Sequence, residues 1–254
     1  MKKYNRYLTT LFLLFLLVFC FGSETYAQED FEDGLGGEGG GGGGIIFTED
    51  NFCTSPSCDS VGVFINNTAT FNLKRPGFSD LIFNYGTPNN GLIPITGDFD
   101  GDGIVTIGLY DPATSIFYLK NSNSSGPADL VFLYGGPNRG FLPIVGDFNG
   151  DGIDTVGLYE VPTSIFYLRN SNTEGFADLT FLYGSPNRGF LPIVGDFNGD
   201  GTDTVGLYEV PTSIFYLRNS NTEGFADLTF RFPKQLAPFE EKYPIVGNWA
   251  VELQ

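Results

Sequence analysis

A seven-residue acidic segment recurs three times at a spacing of 49 residues, and this repeat constrains the fold more than any other feature of the sequence. The copies read GDFDGDG from Gly97, GDFNGDG from Gly146 and GDFNGDG from Gly195, and a more divergent copy of the surrounding unit begins at Ser60. Repeats of this length pack against one another, because a single unit cannot bury its apolar face alone. We therefore expect residues 45–254 to form one domain of four repeats.

Each unit contains four short segments with the apolar and β-branched composition of strands. In the third unit they are TVGLYE from Thr155, SIFYLRN from Ser164, DLTFLYG from Asp178 and LPIVGDF from Leu191, separated by turn residues such as Pro162. Four antiparallel strands in every unit predict an all-β fold, a β-propeller with four blades of four strands. An open array, or part of a larger propeller, is the alternative.

The two ends of the array indicate how the ring closes. The C-terminal YPIVGNW from Tyr243 repeats LPIVGDF, but Trp249 follows in place of an acidic loop. The segment from Cys53 to Cys58 lies where such a loop would precede the first unit. We therefore expect acidic loops at three junctions between units, and the chain ends with a Cys53–Cys58 disulfide at the fourth.

The N-terminal residues differ in composition from the repeats. Residues 1–27 have the charged start, apolar run and small-residue cleavage site of a signal peptide, and residues 28–44 form an acidic, glycine-rich flexible linker. We expect a secreted, monomeric protein without a membrane span. Acylation of Cys20, which would make the chain a cell-surface lipoprotein, is the alternative.

Charge and missing residue types exclude several functions. The net charge is −17, and removal of residues 1–27 leaves 10 basic and 29 acidic side chains, a net charge of −19 that repels nucleic acids. Histidine is absent, so the usual general base and every Ser-His or Cys-His pair are missing. The acids outside the repeated loops form no recurrent pair of the kind a glycosidase needs. The sequence therefore predicts a binding protein rather than an enzyme.

The acidic segments have the ligand pattern of calcium loops. In the second loop, oxygen ligands fall at Asp147, Asn149 and Asp151, followed by the carbonyl of Ile153 and the carboxylate of Asp154. Hard oxygen ligands at this spacing suit Ca²⁺. The corresponding ligands are Asp98, Asp100, Asp102 and Ile104 in the first loop, and Asp196, Asn198, Asp200, Thr202 and Asp203 in the third. Plain turn formation by Asp, Asn and Gly is the alternative.

These segments resemble the FG-GAP and VCBS-type repeats of bacterial and integrin propellers, whose DxDxDG loops bind calcium. The resemblance covers residues 60–249 and implies a propeller fold, structural calcium and an extracellular role in adhesion or ligand binding. The family's ninth-position aspartate is replaced here by threonine, as at Thr155, and the acid stands one residue earlier. Adjacent strand residues point to opposite faces, so Asp154 either binds the ion or faces away from it. If it binds, the Asp98 loop, which has Val105 at this position, is expected to be the weakest.

A second repeated polar element indicates a carbohydrate-binding alternative. The loops YGTPNNG, YGGPNRG and YGSPNRG combine groups that stack on and hydrogen-bond to sugars, and their repetition would make binding multivalent. The candidate ligand-binding residues are Tyr85, Asn89, Tyr134, Asn138, Arg139, Tyr183, Asn187 and Arg188. An ordinary turn with a solvated arginine is the competing interpretation. Lys120, Arg169 and Arg218 also recur, and we expect them on a solvated rim. The expected partner is an extracellular protein or glycan.

Overall fold

The computed structural model describes residues 62–74 and 79–231. The predicted signal peptide, glycine-rich linker, Cys53–Cys58 disulfide and YPIVGNW segment lie outside these residues. Every regular element in the described ranges is a β-strand. The described residues contain no helix that could cross a membrane.

The strands form four antiparallel sheets arranged as a four-bladed β-propeller, which confirms the predicted fold class. The first sheet contains β1 (Gly62–Ile65), β2 (Thr70–Leu73) and β3 (Leu81–Asn84). The second contains β4 (Ile93–Gly97), β5 (Thr106–Asp111), β6 (Ile116–Leu119) and β7 (Leu130–Leu133). The third contains β8 (Phe141–Gly146), β9 (Thr155–Glu160), β10 (Ile165–Leu168) and β11 (Leu179–Leu182). The fourth contains β12 (Leu191–Gly195), β13 (Thr204–Glu209), β14 (Ile214–Leu217) and β15 (Leu228–Arg231).

The strands group into sheets differently from the sequence prediction. The LPIVG strand β12 pairs with β13, which follows the acidic loop, and not with β11, which precedes it in the chain. The two connections are equally long, residues 196–203 and 183–190, so loop length does not decide the pairing: the acidic loop turns the chain back along β12, whereas the YGSPNRG segment carries it to the next sheet. The acidic loops therefore join two strands of one sheet, and the expectation that they join successive units was wrong.

The inner strands β4, β8 and β12 lie side by side, and the second strand of each four-stranded sheet is buried along its whole length. Burial of both strand faces follows from sheets that pack face to face. A Cβ on Gly157 would lie 2.9 Å from side-chain atoms of Ile144 and Leu168, so this position requires glycine for close packing. Inside each sheet, aromatic rings stack as Phe166 does against Phe181, with ring centroids 5.6 Å apart. The contacts at Gly157 hold β9, the strand that follows an acidic loop, against β8 and β10.

Candidate metal site

The first aspartate of each acidic loop organises the loop backbone. The carboxylate of Asp147 accepts hydrogen bonds from the N–H groups of Gly150, Asp151 and Gly152 at 2.7, 3.0 and 2.7 Å. Gly150 and Gly152 have φ angles of 74° and 85°, a left-handed conformation that glycine adopts without strain. Asp98 and Asp196 accept the equivalent three bonds. The Gly201 N–H chiefly, with those of Gly199 and Asp200, holds the pKa of Asp196 below its usual value.

The first loop gathers three carboxylates. One oxygen from each of Asp98, Asp100 and Asp102 lies within 4.8 Å of the others, and this is the one such acidic group found within the described ranges. Oxygens bound to a single Ca²⁺ at 2.3–2.6 Å are separated by at most about 5 Å, so the spacing fits this ion. None of the ion pairs among the described residues involves these three side chains. Their mutual repulsion is therefore uncompensated by a basic side chain.

The second and third loops have asparagine at the middle ligand position. Asn149 Nδ2 donates a hydrogen bond of 2.9 Å to Asp151 Oδ2, and Asn198 Nδ2 donates one of 2.9 Å to Asp200 Oδ2. These bonds hold the loop closed with one carboxylate fewer than in the first loop. The first loop consequently has the largest negative charge directed at its centre.

Asp154 faces the preceding loop rather than its own. Its Oδ2 accepts a hydrogen bond of 2.8 Å from the Asp98 N–H, and its own N–H donates one of 2.8 Å to the Asp98 carbonyl. Asp203 forms the same pair with Asp147, at 3.0 and 2.8 Å. The first and second acidic loops are thus each tied to the next sheet. The Asp98 loop was expected to be the weakest only if the eighth residue of each loop bound the ion of that loop. Asp154 faces the preceding loop instead, so this condition does not hold.

Asp154 also lies in an environment that opposes its ionisation. Burial raises its pKa to about 6, the hydrogen bond from Asp98 partly offsets the rise, and the negative charges of Asp203, Asp98 and Asp147 add to it. Burial likewise raises the pKa of Asp203. At neutral pH the folded protein therefore holds buried negative charge beside the acidic loops.

Replacement of Asp154 with asparagine should preserve or increase stability in calcium-free buffer, by up to about 2 kcal/mol. The amide oxygen can still accept the Asp98 N–H, and a buried negative charge is removed. Urea unfolding at neutral pH measures this effect. The rise in melting temperature on calcium addition should be retained, and its loss would identify Asp154 as a ligand.

Of the residues proposed for sugar binding, the asparagines and arginines are exposed, whereas the tyrosines are not. The rings of Tyr85, Tyr134 and Tyr183 are buried, and burial chiefly raises the pKa of each phenol. Arg139 forms a 2.5 Å ion pair with buried Glu160, and Arg188 forms one with Glu209. Burial opposes ionisation of Glu209, but bonds from Thr212, Arg188 and Tyr216 outweigh it and hold its pKa below the usual value. Asn89, Asn138 and Asn187 occupy left-handed turn positions.

The prediction that Lys120, Arg169 and Arg218 lie on a solvated rim was wrong: they are 4%, 7% and 8% exposed. The Arg169 guanidinium donates to the Phe176 carbonyl, the Asp178 carboxylate at 3.1 Å, Ser171 Oγ at 3.1 Å and Thr173 Oγ1 at 2.9 Å. Arg218 repeats these contacts in the fourth sheet. The polar NSNTEG loops fold back over these cations, which the local sequence does not reveal.

These loops expose two phenylalanines that the sequence analysis missed. Phe176 and Phe225 are 94% and 95% exposed, although the arginines beneath them fix the loops by hydrogen bonds. Asn172 Nδ2 donates a 2.8 Å bond to the Asp154 carbonyl, so these loops lie beside the acidic loops. We call this end of the propeller, with loops 98–105, 147–154, 196–203, 120–129, 169–178 and 218–227, the acidic end. The sequence feature that could have identified them is a phenylalanine in a loop otherwise rich in Ser, Asn and Gly.

Comparison with protein-family models and with curated proteins found no match to this chain.

Proposed function

We propose that this chain is a secreted, calcium-binding member of the FG-GAP/VCBS-type propellers that acts as a structural, adhesion or ligand-binding scaffold. The observation that carries the proposal is the convergence of Asp98, Asp100 and Asp102 within 4.8 Å. The loop backbone around them is already ordered by bonds to Asp98. A preformed group of hard oxygen ligands suits Ca²⁺ better than a softer metal.

Calcium in these loops would stabilise the ring as well as each loop. The first loop is bonded to Asp154 of the next sheet, and the second loop is bonded to Asp203. An ion that fixes Asp98 or Asp147 therefore also fixes a contact between two sheets. This supports a structural role for the metal, with other surfaces left for a partner.

Exchange of the middle ligand between two loops tests the proposal. Asp100→Asn should weaken calcium binding at the first loop about tenfold, and Asn149→Asp should strengthen it at the second loop by a similar factor, because ligand charge tunes affinity. Isothermal titration with Ca²⁺ and native mass spectrometry measure the affinity and the number of ions. Each variant changes one carboxylate on the same scaffold.

Glu174→Gln is the matched charge control for this experiment. Glu174 is exposed at the acidic end but lies outside the acidic loops, so its loss should leave calcium affinity unchanged. If Asp100→Asn and Glu174→Gln weaken binding equally, the protein attracts calcium only through its net charge. If the unmodified chain binds no calcium at millimolar concentration, the proposal is wrong.

A second candidate function, carbohydrate binding, is favoured by the exposed phenylalanines rather than by the PNRG loops. Aromatic faces can stack on sugar rings, and Phe176 and Phe225 present theirs on ordered loops that recur around the ring. Their repetition supports multivalent attachment. The acidic loops lie beside them, so calcium bound in those loops would lie at the same end of the propeller.

Two double variants test which end of the propeller binds glycans. On a glycan array probed in the presence of calcium, Phe176→Ser with Phe225→Ser should lower the signal at least about tenfold. Arg139→Ala with Arg188→Ala, at the opposite end, should retain it. Loss of signal only in the arginine variant would assign binding to the PNRG loops. Absence of any signal from the unmodified chain would remove carbohydrate binding as a function.

A further inference from the structure

Two of the acidic loops contain an Asn-Gly pair, a sequence that favours loss of the asparagine side-chain amide because glycine, without a Cβ, leaves its N–H accessible. The pairs are Asn149–Gly150 in the second loop and Asn198–Gly199 in the third, and all four residues are exposed. The first loop has Asp100 at the same position. Conversion of either asparagine to aspartate would therefore give its loop the sequence GDFDGDG of the first loop.

This conversion needs no reactant other than water. The Gly150 nitrogen loses its proton and attacks Cγ of Asn149, and the new bond closes a five-membered succinimide while the bond from Cγ to Nδ2 breaks and ammonia leaves. Water then opens the ring at either carbonyl. The product is aspartate, or isoaspartate in which the backbone runs through the side chain. Both products are ionised at neutral pH, so the loop gains a negative charge.

The folded loops oppose this attack at the nitrogen. The Gly150 N–H donates a hydrogen bond of 2.7 Å to Asp147 Oδ1, and the attack requires the same N–H to lose its proton. A neighbouring negative charge disfavours the negatively charged nitrogen that results. Asp196 accepts an equivalent bond of 2.7 Å from the Gly199 N–H. Each attacking nitrogen is therefore a poor nucleophile while its loop is closed.

The side chain of each asparagine is also held in place. Asn149 Nδ2 donates a bond of 2.9 Å to Asp151 Oδ2, and its Oδ1 accepts one of 3.3 Å from the Asp151 N–H. Asn198 forms the same two bonds with Asp200, at 2.9 and 3.1 Å. These bonds direct the amide to the residue two positions later, whereas ring closure requires it to approach the nitrogen of the next residue. Both reacting groups must therefore leave their partners before the ring can close.

A third Asn-Gly pair lies outside the acidic loops. Asn90–Gly91 belongs to the YGTPNNG loop, and the Asn90 side chain is exposed. Residues 85–97 contain no acidic residue. No carboxylate of this loop can hold the glycine N–H as the first aspartate of an acidic loop does. The chain therefore contains an exposed pair of the same sequence without this restraint.

We propose that Asn149 and Asn198 are deamidation sites that react only in molecules whose acidic loop has opened, because Asp147 and Asp196 hold the closed loops unreactive. Asn90 reacts in the folded protein. Deamidation thus records the opening of each loop and converts it irreversibly to a loop with one more carboxylate. The inference concerns the loops themselves and does not depend on their binding calcium.

Timed incubation of the chain from Gln28 in calcium-free, mildly alkaline buffer tests the proposal. Trypsin releases residues 140–169 and 189–218 as separate peptides, each with one asparagine, and Ile153 or Thr202 distinguishes them by mass. Mass spectrometry of the digest then gives the deamidation rate at each site. In the folded chain Asn149 and Asn198 should react at least about tenfold more slowly than Asn90. In concentrated urea the three rates should become similar. Equal rates at the three sites in the folded chain would overturn the proposal.

Asp147→Ala opens one of two loops that have the same local sequence. It should raise the rate at Asn149 at least about tenfold and leave Asn198, still held by Asp196, unchanged. Asp196→Ala should have the reverse effect. An unchanged or lower rate at Asn149 in Asp147→Ala would contradict the protective role of Asp147. If the variant reacts equally fast at both sites it has unfolded as a whole, and the comparison of the natural sequence with and without urea decides.

Discussion

Removal of calcium is expected to lower the melting temperature of the chain from Gln28 by about 10–20 °C. At a calcium concentration about twentyfold above the dissociation constant, each site adds about 2 kcal/mol, so three sites add about 5 kcal/mol. Dissociation constants in the sub-millimolar range are typical of extracellular modules. Differential scanning calorimetry in about 10 mM Ca²⁺, and again in excess chelator, measures the change. Zinc should not restore the lost stability, because the loops offer oxygen ligands only.

A variant with the middle ligands removed separates metal binding from loop folding. Asp98, Asp147 and Asp196 each accept three backbone hydrogen bonds, so their substitution would disrupt the loops even without metal. Their neighbours two residues later make fewer such bonds, and the triple substitution Asp100→Ala, Asn149→Ala, Asn198→Ala is the better choice. It should melt near the calcium-free temperature of the unmodified chain and gain little on calcium addition. An unchanged melting temperature of the unmodified chain on chelation would contradict the structural role.

Much of the fold could be predicted from the repeat itself. The segment TVGLYE from Thr155 coincides with β9, and LPIVGDF from Leu191 contains β12, because alternating β-branched residues bounded by Gly and Pro identify strands. The grouping of these strands could not be predicted in the same way. A strand's composition shows how deeply it is buried, but not which of two neighbours it pairs with.

The acidic loops show where local patterns stop being informative. The position of the ligands was readable from their spacing, yet the orientation of Asp154 depends on the Asp98 backbone, 56 residues away and in another sheet. Burial of Arg169 similarly depends on a loop that folds back over it. Both features are contacts between distant or irregular segments, for which side-chain periodicity carries no information. The exposure of Phe176 follows from that same loop.

Arg169 has a structural role that contrasts with that of Arg139, although both are paired arginines. Arg169 is 7% exposed and bonds to four groups of one loop, and its guanidinium lies 5.9 Å from the centre of the Tyr134 ring in the preceding sheet. The Arg139 side chain is 56% exposed. Buried charge-assisted bonds contribute more than solvent-screened pairs. The two positions therefore form a matched pair for substitution.

Arg169→Met should destabilise the protein by about 2–4 kcal/mol. Arg139→Met should cost less, because the buried Glu160 carboxylate keeps its hydrogen bonds from Thr163 and Tyr167. Methionine preserves much of the aliphatic packing but leaves the Phe176 carbonyl without the arginine donor and removes one of two donors to the Asp178 carboxylate, which keeps the Asn170 N–H. Chymotrypsin should then cleave after Phe176 at least about tenfold faster under native conditions, because the loop opens locally. The Phe225 loop, still held by Arg218, is an internal control in the same molecule. Equal acceleration at Phe176 and Phe225 would show global unfolding instead of release of one loop.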